Sequence, residues 1–171
     1  PIKIFSILLM LCLGIATAAT AQPAAVKKAA NTTFTLTTFD AKGSILSTSN
    51  GVFVSNNGIC VSTWKPFVGA MKAEVTDNNG QKYSVETILG ANELYDVAKF
   101  KITAKTNAAL FAPSVVANSA AWIVMPSQAG APIKANIDKV EKFMTKYNYC
   151  VLSTTASEKY NGAPVLNDKG Q

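Results

Sequence analysis

From Thr33 onward, apolar and polar residues alternate with a period of two. Phe34 and Leu36 lie between Thr33, Thr35 and Thr37, while Met71, Ala73 and Val75 interleave with Lys72, Glu74 and Thr76. Ala98, Phe100 and Ile102 flank Lys99 and Lys101 in the same way. Successive side chains of a strand point to opposite faces, so each run predicts a strand with one buried face. Turn sequences separate the runs: Asp40-Ala41-Lys42-Gly43, Asn56-Asn57-Gly58 and Asn78-Asn79-Gly80. An Asn-Gly pair between β-rich segments suits the positive φ angles of a tight hairpin. Strands are expected over residues 33–37, 44–48, 52–54, 59–63, 71–76, 82–89 and 97–102. Short strands punctuated by glycine turns point to an all-β barrel or sandwich.

The second half is less regular. Residues 103–119 read as a linker-like passage, and Ala121-Trp122-Ile123-Val124-Met125 is a buried-strand candidate that breaks at Pro126. Ile137, Val140, Met144 and Tyr147 recur at helical spacing, so period alone allows a helix over residues 135–147. Tyr147-Asn148-Tyr149-Cys150-Val151-Leu152 is instead rich in β-formers.

The N-terminal stretch has a different character. Lys3, the apolar residues 4–15 and then Ala19-Thr20-Ala21 fit a secretory leader cleaved after Ala21. The apolar run falls short of the ~20 residues a membrane span needs. Export to the periplasm or beyond is therefore expected, with no membrane span after cleavage. Residues 22–31 have no clear period and read as a linker. The chain begins without Met and stops just after a turn, so it is expected to be a fragment at both ends.

Composition narrows the chemistry. The net charge of +6 comes from lysine alone, and lysines are scattered along the strands. Without arginine there is no fork to read guanine or clamp phosphate, so nucleic acid is not the expected partner. Histidine is absent. That removes Ser-His-Asp and Cys-His catalysis and the common zinc sites together. The aspartates form no ligand-spaced cluster, so neither metal nor cofactor is expected. Cys60 and Cys150 could bridge in an exported protein, but two free thiols are the preferred reading. Ser62-Thr63-Trp64-Lys65 matches an S-x-x-K pattern formally, yet it lies at a strand end rather than at the helix start that chemistry needs. Trp64 and Trp122 read as core or cleft-wall aromatics rather than a sugar platform.

Four segments, in order, resemble the trypsin-like serine proteases of the HtrA type. Asn50-Gly51-Val52-Phe53-Val54 with Gly58-Ile59-Cys60-Val61-Ser62-Thr63-Trp64-Lys65 is similar to the strand, turn and strand that lead to that family's catalytic histidine, which falls on Lys65, or on Trp64 if the register slips by one. Asp96-Val97-Ala98-Lys99-Phe100-Lys101-Ile102 resembles the segment opening with its catalytic aspartate, at Asp96. Residues 121–126 look like the first strand of its C-terminal barrel. Lys159-Tyr160-Asn161-Gly162-Ala163-Pro164 is similar to its nucleophile loop, with Asn161 in the serine position, Lys159 where a glycine N–H helps build the oxyanion hole, Gly162 retained, and Ala163 in place of the second glycine.

The resemblance implies two Greek-key β-barrels, residues 32–105 and 106–171, the second incomplete and open-edged in this stretch. It favours two strands joined by a turn near residues 141–146 over the helix. It also implies a degenerate triad at Lys65, Asp96 and Asn161. An amide is no nucleophile, and no imidazole exists to carry a proton. The expected role is a non-catalytic module holding a peptide or protein partner in the former substrate cleft. The alternatives are a hydrolase with a non-standard site and an exported adhesin or carbohydrate-binding β-domain. Lys65 is expected to reach the Asp96 carboxylate with its ammonium group, the alternative being that Lys65 points to solvent and Trp64 fills the cleft.

Overall fold

The computed structural model describes residues 21–143, 147–155 and 157–171. The expected leader, Ala21 excepted, lies outside the described residues, as do residues 144–146 of the expected C-terminal turn. Among the described residues, eleven strands form two antiparallel sheets, one of seven strands and one of four.

The first sheet holds β1 (Thr33–Phe39), β2 (Ile45–Phe53), β3 (Ile59–Ser62), β4 (Lys72–Thr76), β5 (Lys82–Ser84), β6 (Thr87–Asn92) and β7 (Val97–Lys101) in the order β5-β4-β1-β2-β3-β7-β6. The period-two residues fill its interior: Phe34, Leu36, Phe53, Val75, Ala98, Phe100 and Ile102 are buried together. Phe34 packs on Phe53 with ring centroids 4.8 Å apart and meets Phe100 edge-on at 5.9 Å. Gly51 makes this possible, because a Cβ there would lie 2.2 Å from the Phe34 ring. Residues 44–48 and 52–54, read as separate runs, form one strand through Gly51. The run 82–89 instead breaks at Val85-Glu86. There the Val85 N–H donates to the Ala73 carbonyl of β4 and the Glu86 N–H to the Lys101 carbonyl of β7, both at 2.9 Å. The chain thereby steps from one sheet edge to the other and curls the sheet upon itself.

The second sheet, in the order β10-β9-β8-β11, holds β8 (Ser119–Ile123), β9 (Ile133–Phe143), β10 (Tyr147–Leu152) and β11 (Val165–Leu166). The helical alternative for residues 135–147 is replaced by β9 and β10, paired from Phe143–Tyr147 to Ile137–Leu152. Strand β9 continues through residues 141–143, where the turn was expected to begin. The apparent helical step from Ile137 to Val140 has a different cause. The register shifts near Val151/Leu152, and the extra residue on β9 moves the inward face from 133, 135 and 137 to 140. A bulge flips side-chain parity in this way.

Residues 22–31, read as a linker, contain the helix α1 (Ala24–Ala29) and the start of a 3-10 turn (Ala30–Thr32). Val26, Ala29 and Ala30 are buried against Trp122, Val124 and Leu166 and supply part of the second core. Six residues are too few to show a helical period convincingly. Trp122 also donates its indole N–H to Asp168 at 2.7 Å, as a buried indole requires.

Cys60 and Cys150 are free thiols. Burial pushes the Cys60 thiol up to about 12, so it stays protonated at pH 8 and is a poor nucleophile. Iodoacetamide is expected to leave Cys60 unmodified in the native protein and to alkylate it in denaturant, as peptide mass spectrometry would show. Native-state modification at Cys60 would mean that this core opens.

Candidate functional site

The turn between β6 and β7 presents Asp96. It adopts the left-handed conformation, φ 50°, which Asp tolerates better than most residues. In that position its Oδ1 accepts the main-chain N–H groups of Trp64 (2.9 Å) and Lys65 (2.7 Å). These amides lead into the 3-10 turn Lys65–Phe67 just after β3, and such leading N–H groups lack intrahelical partners. Asp96 therefore fixes the end of β3 through the backbone, whatever side chain stands at 65.

The expected ion pair is not formed. Lys65 is exposed, and the ion pairs found among the described residues join Lys72 and Lys82 to Glu74 and Lys139 to Glu141. Main-chain amides reach the Asp96 carboxylate without desolvating an ammonium group, whereas burying the lysine would carry a penalty. Trp64 stacks on Phe67 with centroids 6.1 Å apart, and Phe67 meets Phe100 edge-on at 5.2 Å. The indole thus leans on the first core.

Lys159, Asn161, Gly162 and Ala163 lie together in one loop, formed by the 3-10 turn Glu158–Tyr160. The Asn161 N–H donates to the Glu158 carbonyl at 3.0 Å, and the Ala163 N–H to the Tyr160 carbonyl at 2.9 Å. An oxyanion site at positions 159 and 161 would need the Asn161 N–H pointing outward. Here it is used inside the turn.

Asn50, in β2, holds this loop against the first sheet. Its main-chain N–H donates to the Asn161 carbonyl at 2.8 Å. Its side-chain Nδ2 donates to the Lys159 carbonyl at 2.7 Å and to the Asn161 carbonyl at 3.0 Å. Its own carbonyl accepts the Ser62 hydroxyl at 2.5 Å, with Ser49 Oγ 3.3 Å from Ser62 Oγ. Gly162, at φ 76°, sits so close that a Cβ would lie 2.0 Å from the Asn50 carbonyl oxygen. The alternating pattern around β2 does not single out Asn50. The available signal was a carboxamide inside a strand, where Asn is disfavoured unless it has partners.

Beside the Asp96 turn, a groove of about 420 Å³ separates it from the β9–β10 pair, lined by Leu94, Tyr95, Tyr147 and Tyr149 among others. The rings of Tyr95 and Tyr147 meet at 4.7 Å. Strand β10 is a sheet edge. No group of His, Cys, Asp and Glu among the described residues is placed to hold a metal ion.

No family model matches the sequence, and neither does any curated protein. Among solved structures the chain is similar to a serine endoprotease from Yersinia pestis, with a TM-score of 0.75 and 18% identity over 89% of this chain and 55% of that one. It is similar as well to the HtrA-type protease AlgW with a tripeptide, with a TM-score of 0.75 and 18% identity over 88% of this chain and 52% of that one. The chain spans about half the length of these structures. At such identity the likeness establishes the fold: two curled antiparallel sheets in the trypsin-like, HtrA-type arrangement.

Substituting Asn50→Ala removes both side-chain donors from the loop and should destabilise the protein by about 1–3 kcal/mol in urea denaturation. Gly162→Ala should cost at least as much, because both the space and the φ angle oppose a methyl group. Unchanged midpoints for both variants would show that the loop is not held through Asn50.

Proposed function

We propose that this chain is a non-catalytic module of the trypsin-like fold, acting outside the cytoplasm and holding an extended peptide or a segment of a partner protein. The observation that carries the reading is the state of the nucleophile loop. A carboxamide residue occupies position 161, its N–H is bonded to the Glu158 carbonyl, and its carbonyl is fixed by Asn50. Position 65 offers an ammonium in a chain without imidazole. No imidazole is present to take up and return a proton there, and an amide side chain is no nucleophile.

The binding half of the proposal is supported by the groove beside Asp96. It combines an apolar lining from Leu94, Tyr95, Tyr147 and Tyr149 with an adjacent sheet edge. Aromatic walls accept apolar side chains, and an edge strand offers main-chain hydrogen bonds to an extended chain. The presence of a tripeptide with AlgW is in keeping with peptide recognition on this fold.

The test is incubation with a library of unstructured peptides, followed by mass spectrometry of bound and free fractions, alongside a fluorophosphonate probe. Bound peptides recovered intact and no probe labelling are expected. Asn161→Ser alone should leave the protein unlabelled, since no base stands at 65. Cleaved peptides or a labelled serine would overturn the non-catalytic reading, and the absence of any bound peptide would overturn the binding reading.

A further inference from the structure

Away from the Asp96 groove, helix α1, residues 107–110 and the turn at 169–170 enclose a second groove of about 520 Å³. Lys28 and Lys169 line it, and none of its lining residues is acidic. Neither lysine forms an ion pair among the described residues. Asp168, the acidic neighbour of Lys169 in sequence, is instead bonded to the Trp122 indole. The groove continues through Asn31 and Asn107 into a polar hollow of about 200 Å³ that carries a third lysine, Lys105. Among the described residues lining that hollow, Asp77 is the carboxylate, and it accepts the N–H groups of Asn79 (2.8 Å) and Gln81 (2.9 Å). Leu110, 64% exposed, adds an apolar contact beside the lysines.

We infer that this groove binds an acidic, extended polypeptide segment of a partner protein, by charge complementarity with Lys28, Lys169 and Lys105. Unpaired ammonium groups in a concave site concentrate positive potential there and favour carboxylates. The Asn31 and Asn107 carboxamides can each donate to and accept from a peptide main chain. Leu110 accommodates an apolar side chain between acidic ones. Nucleic acid fits poorly, because the larger groove has neither arginine nor an aromatic platform for bases. A flat bilayer would not fill the groove between helix α1 and residues 107–110.

The experiment is fluorescence anisotropy on the whole chain with a labelled peptide of alternating Glu and Leu. Binding is expected, with affinity falling as salt rises from about 50 to about 300 mM. The double substitution Lys28→Glu with Lys169→Glu should weaken it by at least about tenfold. Lys28→Ala with Lys169→Ala should give a smaller loss in the same direction. Lys99→Glu, an exposed charge reversal on β7, should leave binding unchanged. An equal loss with Lys99→Glu would show that only net charge matters and would overturn the assignment. So would unchanged binding by the double variants, no binding at all, or binding to phosphatidylglycerol vesicles but not to the peptide.

Discussion

A buried carboxamide sets the terms for the junction between the two sheets. Asn50 is 5% exposed, and a polar group so placed must find partners or carry a desolvation cost. It finds them in the chain more than a hundred residues later, at the carbonyls of Lys159 and Asn161. That demand fixes the neighbourhood. Gly162 has to be glycine for the loop to approach, Ser62 turns its hydroxyl to the Asn50 carbonyl, and Ser49 lies beside Ser62. Three polar residues thus sit inside the first sheet because the second half of the chain is held there.

Geometry and chemistry are separate questions at this site. Asp96 lies where the resemblance places a catalytic aspartate, but its carboxylate caps two main-chain amides. Position 161 likewise keeps its place in the fold with its carbonyl in the Asn50 clamp and its N–H inside a 3-10 turn. A fold can keep the frame of an active site for reasons of stability alone, which is why fold likeness and activity are argued separately.

How much of this could be read from the sequence depended on where the deciding interaction lay. Hairpins at Asn57-Gly58 and Asn79-Gly80 are local, and both formed. The alternation at Phe34, Leu36, Ala98 and Phe100 placed those residues in the core. Where a long-range contact decided the outcome, the pattern misled. Residues 22–31 became helical because the second sheet needed Val26, Ala29 and Ala30 to cover Trp122 and Leu166. The Ile137-to-Val140 step mimicked a helix because a bulge shifted parity. The Lys65 ammonium was expected on Asp96, but main-chain amides took the carboxylate, and backbone donors leave no mark in a sequence.

The loop at position 161 is held closed, with its N–H turned inward and its carbonyl on Asn50. Amide hydrogen exchange of the intact protein, resolved to single residues, tests this directly. The account predicts that the Asn50 N–H exchanges as slowly as its neighbours in β2, and that the Asn161 N–H is protected by at least about tenfold relative to an unstructured peptide. Asn161 exchanging at the unstructured rate while β2 stays protected would contradict it, because the amide would then be free to face a bound substrate.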